Sequence, residues 1–164
     1  MQLRNINTCI IKTKIGNILI EIKDYKVIKI FPTNLKITNF KYLSSKTLSL
    51  FKPINQQIEG FLEGKIINFS FSIHLQGSSF QKKVWNEIKK IKYGKTLSYL
   101  DIAKKIDSSP RAVGLACSKN INLFIIPCHR VINSNGNLGG YIMGNSTKNY
   151  LLNMEKKNYD FLLL

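Results

Sequence analysis

The chain has 164 residues, 44% of them hydrophobic, and a formal net charge of +16 at neutral pH. That length allows one ordinary core or two small lobes, and no run approaches the roughly 20 consecutive apolar residues of a membrane-spanning helix, so no membrane association is expected. A basic excess of this size fits a polyanionic partner, because lysines and arginines that neutralise phosphates release counterions. The lysines are spread along the whole chain, so charge alone does not locate a surface. Arginine is scarce, with only Arg4, Arg111 and Arg130, and its planar fork can stack on bases as lysine cannot. The opening MQLRNINTCIIKTKIGN has no continuous apolar run and no small-residue cleavage site, unlike a signal peptide, so a cytoplasmic protein is expected. Cys9, Cys117 and Cys128 show no CxxC spacing and only His74 and His129 could join them, which argues against a disulfide framework and against a metal site.

Residues 6–12, 17–23 and 25–31 are rich in β-branched side chains, with turn residues at Gly16-Asn17 and Asp24, and predict an antiparallel meander. A polar stretch follows Pro32. An apolar pattern around Leu48, Phe51, Ile54, Ile58 and Phe61-Leu62 predicts a helix that starts near Pro53 and ends by Gly60 or Gly64. Alternation in INFSFSIHL, residues 67–75, predicts a returning strand, with His74 as an ordinary strand residue. Gln76-Gly77-Ser78-Ser79 marks a linker, dividing the chain into residues 1–75 and 76–164. Beyond it Val84, Trp85, Ile88 and Ile91 give residues 80–91 one apolar helical face. Ser98-x-x-Asp101 has the form of a capping box and starts a short helix expected to bury Leu100, Ala103 and Ile106. Ser109-Pro110 caps a third helix, Arg111 to Lys119, whose small residues include Ala112, Gly114 and Ala116, with Cys117 expected in the core. Two short helices around a tight turn suggest a helix-turn-helix. A glycine- and asparagine-rich loop follows at 133–140, and a last helix is expected over Lys148 to Lys156, facing Leu151, Leu152 and Met154 inward.

Between these lies LFIIPCHRV, residues 123–131. Its apolar run reads as a buried strand that Pro127 ends, which leaves Cys128 at a strand mouth. His129 and Arg130 beside it are expected to lower the thiol pKa and favour a nucleophilic thiolate. A buried structural cysteine fits the same residues. On an extended chain His129 would point away from the sulfur, so a relay such as a water would join them.

FQKKVW, LSYLDIA, RAVGLACSKN, IIPCHRVI, GGY and a closing helix with Leu-Leu and then Glu155 occur in that order across residues 76–156. In this the chain resembles the O6-alkylguanine-DNA alkyltransferases, and FLEGKIINFSF resembles their N-terminal domain more loosely. The resemblance implies an α/β (α+β) fold. It would comprise a ribonuclease H-like N-terminal antiparallel sheet with a helix, and a mostly helical C-terminal domain with a helix-turn-helix. It implies a monomer acting on double-stranded DNA that carries O6-alkylguanine, or less readily O4-alkylthymine, with no cofactor. The alkyl group would pass irreversibly to Cys128.

By the same resemblance His129 would take the thiol proton through a water, Glu155 would hold the imidazole and Asn120 would order the adjoining turn. Tyr99 would donate to the departing guanine, and Tyr141 would line the base site. Carbonyls of Cys128 and Val131 would read the exocyclic amine. Arg111 would fill the stack, while Ala112, Gly114, Ala116 and Arg130 would meet DNA. The small residues suit that role, since a helix about 10–12 Å across enters a minor groove about 6 Å wide only closely and with widening. Bulky Leu123 and Phe124 are expected to tighten the pocket mouth. Other readings are a lesion-binding protein of the same fold without an acceptor, a Cys-His hydrolase, and a DNA-binding regulator. The presence of Cys128 disfavours the first, and a basic helix-turn-helix gives the second no use.

Overall fold

The computed structural model describes residues 6–36 and 44–162. The chain divides into two compact units, Met1–Leu75 and Gln76–Leu164. The polar stretch after Pro32 falls partly on residues 37–43, outside the described residues. No described helix is long and apolar enough to cross a membrane.

The first unit carries a three-stranded antiparallel sheet, β1 (Asn7–Thr13), β2 (Gly16–Lys23) and β3 (Lys26–Pro32), in sequence order. Each strand buries Ile, Leu or Val, and Cys9 lies inside with them. Helix α1 (Ser45–Leu62) starts eight residues before Pro53 instead of at it. The Ser44 hydroxyl accepts from the Thr47 amide at 3.2 Å, and burial of Phe51, Ile54, Ile58, Phe61 and Leu62 outweighs the missing proline N–H. Residues 67–75 do not form the expected strand. They touch β3 at one bridge only, Val27 to Ile73, with Val27 N donating to Ser72 O and His74 N to Val27 O. Side chains hold the segment instead: Phe69 packs 5.3 Å from Phe61 and 5.4 Å from Phe71 between ring centres.

The second unit is mostly helical, which completes the mixed α/β architecture. Helix α2 (Ser79–Lys89) begins with a full Ser78/Gln81 capping box and buries Val84, Trp85 and Ile88. The Trp85 indole N–H donates to the carbonyl of Ala116 at 2.9 Å. Strand β4 (Leu97–Ser98) runs straight into α3 (Tyr99–Ile106), and after a turn at left-handed Asp107 comes α4 (Pro110–Ser118). These are the two short helices around a tight turn. Ile102, not Leu100, joins Ala103 and Ile106 in the core. The capping box at α3 is complete, with Ser98 Oγ accepting from Asp101 N at 3.0 Å and Asp101 Oδ2 accepting from Ser98 N at 2.9 Å. Ser98→Ala should therefore cost about 1 kcal/mol, read as a lowered urea midpoint at unchanged m-value.

The run Leu123 to Pro127 is buried, as expected, but turns instead of extending. Phe124 sits at φ 67°, Ile126 N donates to Asn122 O, and Cys128 N donates to Ile126 O. Cys128–Arg130 then form one 3-10 turn leading into β5 (Val131–Ile132), which pairs in parallel with β4 through Leu97–Val131 and Ser98–Ile132. That short pairing sets Tyr99, the next residue after β4, beside the segment that follows Cys128. Helix α5 (Gly144–Leu162) closes the unit and is longer at both ends than its apolar pattern suggested.

Candidate active site

A cavity of about 590 Å³ opens in the second unit, with Cys128, Tyr99, Arg111, Gly114, Asn120 and Tyr141 on its walls. Leu123 also lines it, whereas Phe124 does not. Cys128 is only 7% exposed. Asn120 builds the turn that holds it: its amide Nδ2 donates to Ile126 O at 2.9 Å and to Cys128 Sγ at 3.3 Å, while its Oδ1 accepts from Asn122 N at 2.8 Å.

Immediately after Cys128 in the chain, His129 and Arg130 join Glu155 of α5 in a buried network. His129 Nε2 pairs with Glu155 Oε1 at 2.9 Å. Arg130 grips the same carboxylate with two donors, Nε to Oε2 at 2.8 Å and Nη2 to Oε1 at 2.9 Å, and places Nη1 on Ile91 O at 2.7 Å. The Gly94 amide adds a donor to Oε2 at 3.1 Å. Burial pushes the Glu155 carboxyl up, but the hydrogen bonds from His129 and Arg130 outweigh it and hold the group down at about 2. Burial also lowers His129, against the pull of Glu155, so the imidazole is neutral at neutral pH. With Nε2–H given to Glu155, the neutral ring carries its lone pair on Nδ1.

Two expectations change here. Arg130 is 7% exposed and its fork is committed to Glu155 and Ile91, so it is a strut within the protein and not a DNA contact. The Cys128 thiol is not lowered by its cationic neighbours, since Arg130 is neutralised by Glu155 and His129 is uncharged. Contact with the Cys117 thiol and burial push it up, opposed by Asn120 and Lys148.

On α4 the exposed residues are Pro110, Arg111, Leu115 and Ser118, with Lys119 exposed just past its end and Ala112 and Gly114 half-buried. Ala116 is 2% exposed and faces Trp85, which removes it from any groove-facing surface. Cys117 is not core: it is half-buried and lines the cavity.

Tyr99 and Tyr141 both line the cavity. Burial raises Tyr99 to about 12, and burial raises Tyr141 further, so both remain phenols at neutral pH. The Tyr141 hydroxyl is buried and has no hydrogen-bond partner. Gly139, at φ 68°, must be glycine, because a Cβ there would come within 3.0 Å of the Tyr99 ring.

Lys148 was not singled out by sequence reasoning. It is fully buried on α5, and its ammonium donates to Val131 O at 2.6 Å, to Gly140 O at 3.3 Å and to Leu138 O. It thereby clamps the loop carrying Gly140 against β5. Lys148, Leu151 and Glu155, three and then four residues apart on one helical face, are the signal that could have found it. Burial lowers its pKa to about 8. Lys148→Met should leave carbonyls unsatisfied and lower stability at pH 7 by about 1–3 kcal/mol, measured by urea unfolding. In the parent, this group should make stability rise between pH 8 and the ordinary lysine value of 10.5, because there the unfolded chain keeps a proton that the native one has released. The variant should lack that increment.

Residues 79–157 match the family model for the DNA-binding domain of 6-O-methylguanine DNA methyltransferase. The chain is 41% identical over 155 residues to a methylated-DNA–protein-cysteine methyltransferase from Methanocaldococcus vulcanius, covering 84% of this chain and 96% of that protein. Among solved structures, O6-methylguanine methyltransferase from Mycobacterium tuberculosis superposes with a TM-score of 0.77 at 30% identity, covering 94% of each chain. The structure of that organism's enzyme in complex with DNA also gives 0.77 at 30% identity, over 91% of this chain and 92% of that one. A cysteine at the cavity wall, the His129–Glu155 pair behind it, and likeness running through nearly the whole length together place this chain in the methylated-DNA–protein-cysteine methyltransferase family.

Proposed function

We propose that this protein performs direct-reversal DNA repair, moving a methyl or larger alkyl group from O6 of guanine in double-stranded DNA, or less readily from O4 of thymine, to Cys128. The observation that carries the reading is Cys128 on the wall of a cavity, next in the chain to His129, whose buried neutral imidazole is paired with the Glu155 carboxylate. The target oxygen is inaccessible inside a duplex, so the nucleotide must leave the stack, at a cost of a few kcal/mol. Arg111, exposed at the start of α4, fills the gap. Ala112 and Gly114 let the helix approach closely. At Gly114 a Cβ would meet only the Tyr99 ring, at 3.9 Å, so the open space there serves a ligand more than internal packing.

The thiol proton passes to His129 through a water, and the imidazolium so formed is stabilised by Glu155. Sulfur attacks the alkyl carbon in line, the carbon–oxygen bond breaks, and its electron pair stays with the guanine. Tyr99, kept protonated, donates to the purine as charge builds on it. Tyr141 offers its hydroxyl at the same site. The carbonyls of Cys128 and Val131 receive the exocyclic amine on their second lone pairs, since Val131 N and Lys148 already occupy one each. Every bond made or broken lies between substrate and Cys128, so the route needs no cofactor. All of these groups come from one chain, so a cytoplasmic monomer suffices.

Incubation with a duplex carrying O6-methylguanine labelled in the methyl group tests this. The expected result is label on a peptide containing Cys128, saturating near one per chain. Binding without transfer would replace the reading with a lesion-recruiting module, and transfer far beyond one per chain would overturn it.

A further inference from the structure

Cys117 and Cys128 come from different elements, α4 and the 3-10 turn, and open on the same cavity. Both are free thiols. Of the groups around Cys128, the neighbouring Cys117 thiol has the largest influence on it. Tyr99 lines the cavity together with both cysteines. The remaining cysteine, Cys9, is fully buried in the sheet of the first unit. Cys117 is the more open of the pair. The repair role uses Cys128 alone and leaves this second thiol unexplained.

We propose that Cys117 and Cys128 are a paired oxidation site, at which a peroxide closes a reversible disulfide that shields the acceptor sulfur. Cys117 as thiolate attacks one oxygen of hydrogen peroxide; the O–O bond breaks, a sulfenic acid forms, and hydroxide leaves to become water. Cys128 gives up its proton and attacks the Cys117 sulfur. The S–S bond forms, the S–O bond breaks, and the departing hydroxide takes up that proton as a second water. Two thiols lose two electrons and two protons, and one peroxide becomes two waters. Thiols already in contact need little backbone movement to meet disulfide geometry.

Capture as a disulfide also keeps Cys128 off the irreversible steps to sulfinic and sulfonic acid. A dithiol reductant restores it, whereas a thioether is permanent. The consequence for repair rests on Cys128 being the alkyl acceptor; the disulfide itself does not.

The test uses the full reduced chain, first assayed for methyl acceptance and then treated with hydrogen peroxide near one equivalent. The expected product has lost two hydrogens in mass, keeps one alkylatable thiol at Cys9 after denaturation, and yields a linked peptide containing Cys117 and Cys128. Methyl acceptance should fall at least tenfold and return with dithiothreitol. Under excess peroxide Cys117→Ser, compared with its own reduced form, should instead gain oxygen at Cys128 and fail to recover. Three remaining thiols, a link to Cys9, or full recovery of Cys117→Ser would each overturn the pairing. A reduced protein that accepts no methyl would sink the repair reading, while the linked peptide would still be read by mass.

Discussion

Glu155→Ala should lower stability by about 3–5 kcal/mol, because it removes the carboxylate and leaves the Arg130 guanidinium buried with a single carbonyl partner. Against a total of about 5–15 kcal/mol for a typical domain, that is enough to leave much of the variant unfolded at working temperature. Gly94 would lose its acceptor as well. Chemical unfolding of the full chain measures the loss, and an effect below about 1 kcal/mol would mean that water reaches the site. Glu155→Gln keeps the shape and one acceptor but not the charge, and should lie between the two.

The same network sets an acid limit. Glu155 is held at about 2 in the native state against an ordinary glutamate value of 4.5, so its contribution is complete above pH 4.5 and disappears as pH falls toward 2. His129 acts in the same direction at higher pH: below the ordinary histidine value of 6.5 the unfolded chain binds a proton that the buried imidazole resists. Stability measured against pH should therefore fall in two stages on acidification, and Glu155→Ala should lack the lower one.

Cys128→Ser should abolish transfer completely while leaving duplex binding intact. A serine hydroxyl is a hard, weakly acidic nucleophile, and no base in the cavity is strong enough to ionise it. On the proposed reading, binding rests on α4 and Arg111, which the substitution does not touch. Gel-shift titration with the lesion duplex should match the parent, and no label should appear in the protein at any time. Label at another residue would move the acceptor elsewhere.

The sequence reads well where the deciding physics is local. Strands β1 to β3 follow from alternation and from turn residues at Gly16 and Asp24, and the two HTH helices follow from Ser98-x-x-Asp101 and Ser109-Pro110. It misleads where a partner is distant. The alternating Phe69 and Phe71 look like a strand, yet packing between aromatic rings, not a ladder, holds them. The apolar run at 123–127 is buried, but burial does not distinguish a strand from a packed turn, and only Asn120 reveals the difference. Arg130 looks like a base-stacking arginine until Glu155, twenty-five residues away, is seen to hold it. Ala116 is buried within the domain, its carbonyl accepting from the Trp85 indole, and Lys148 hides among ordinary lysines because its three acceptors are all main-chain carbonyls.

Trp85 is the only tryptophan in the chain, and its indole is bonded to the last turn of α4. Intrinsic emission is therefore a label-free reporter on the seating of the DNA-facing helix. While α4 stays docked the spectrum should remain that of a shielded indole, and a red shift on adding a duplex would show the helix lifting from its scaffold instead of carrying the extruded nucleotide on a rigid frame.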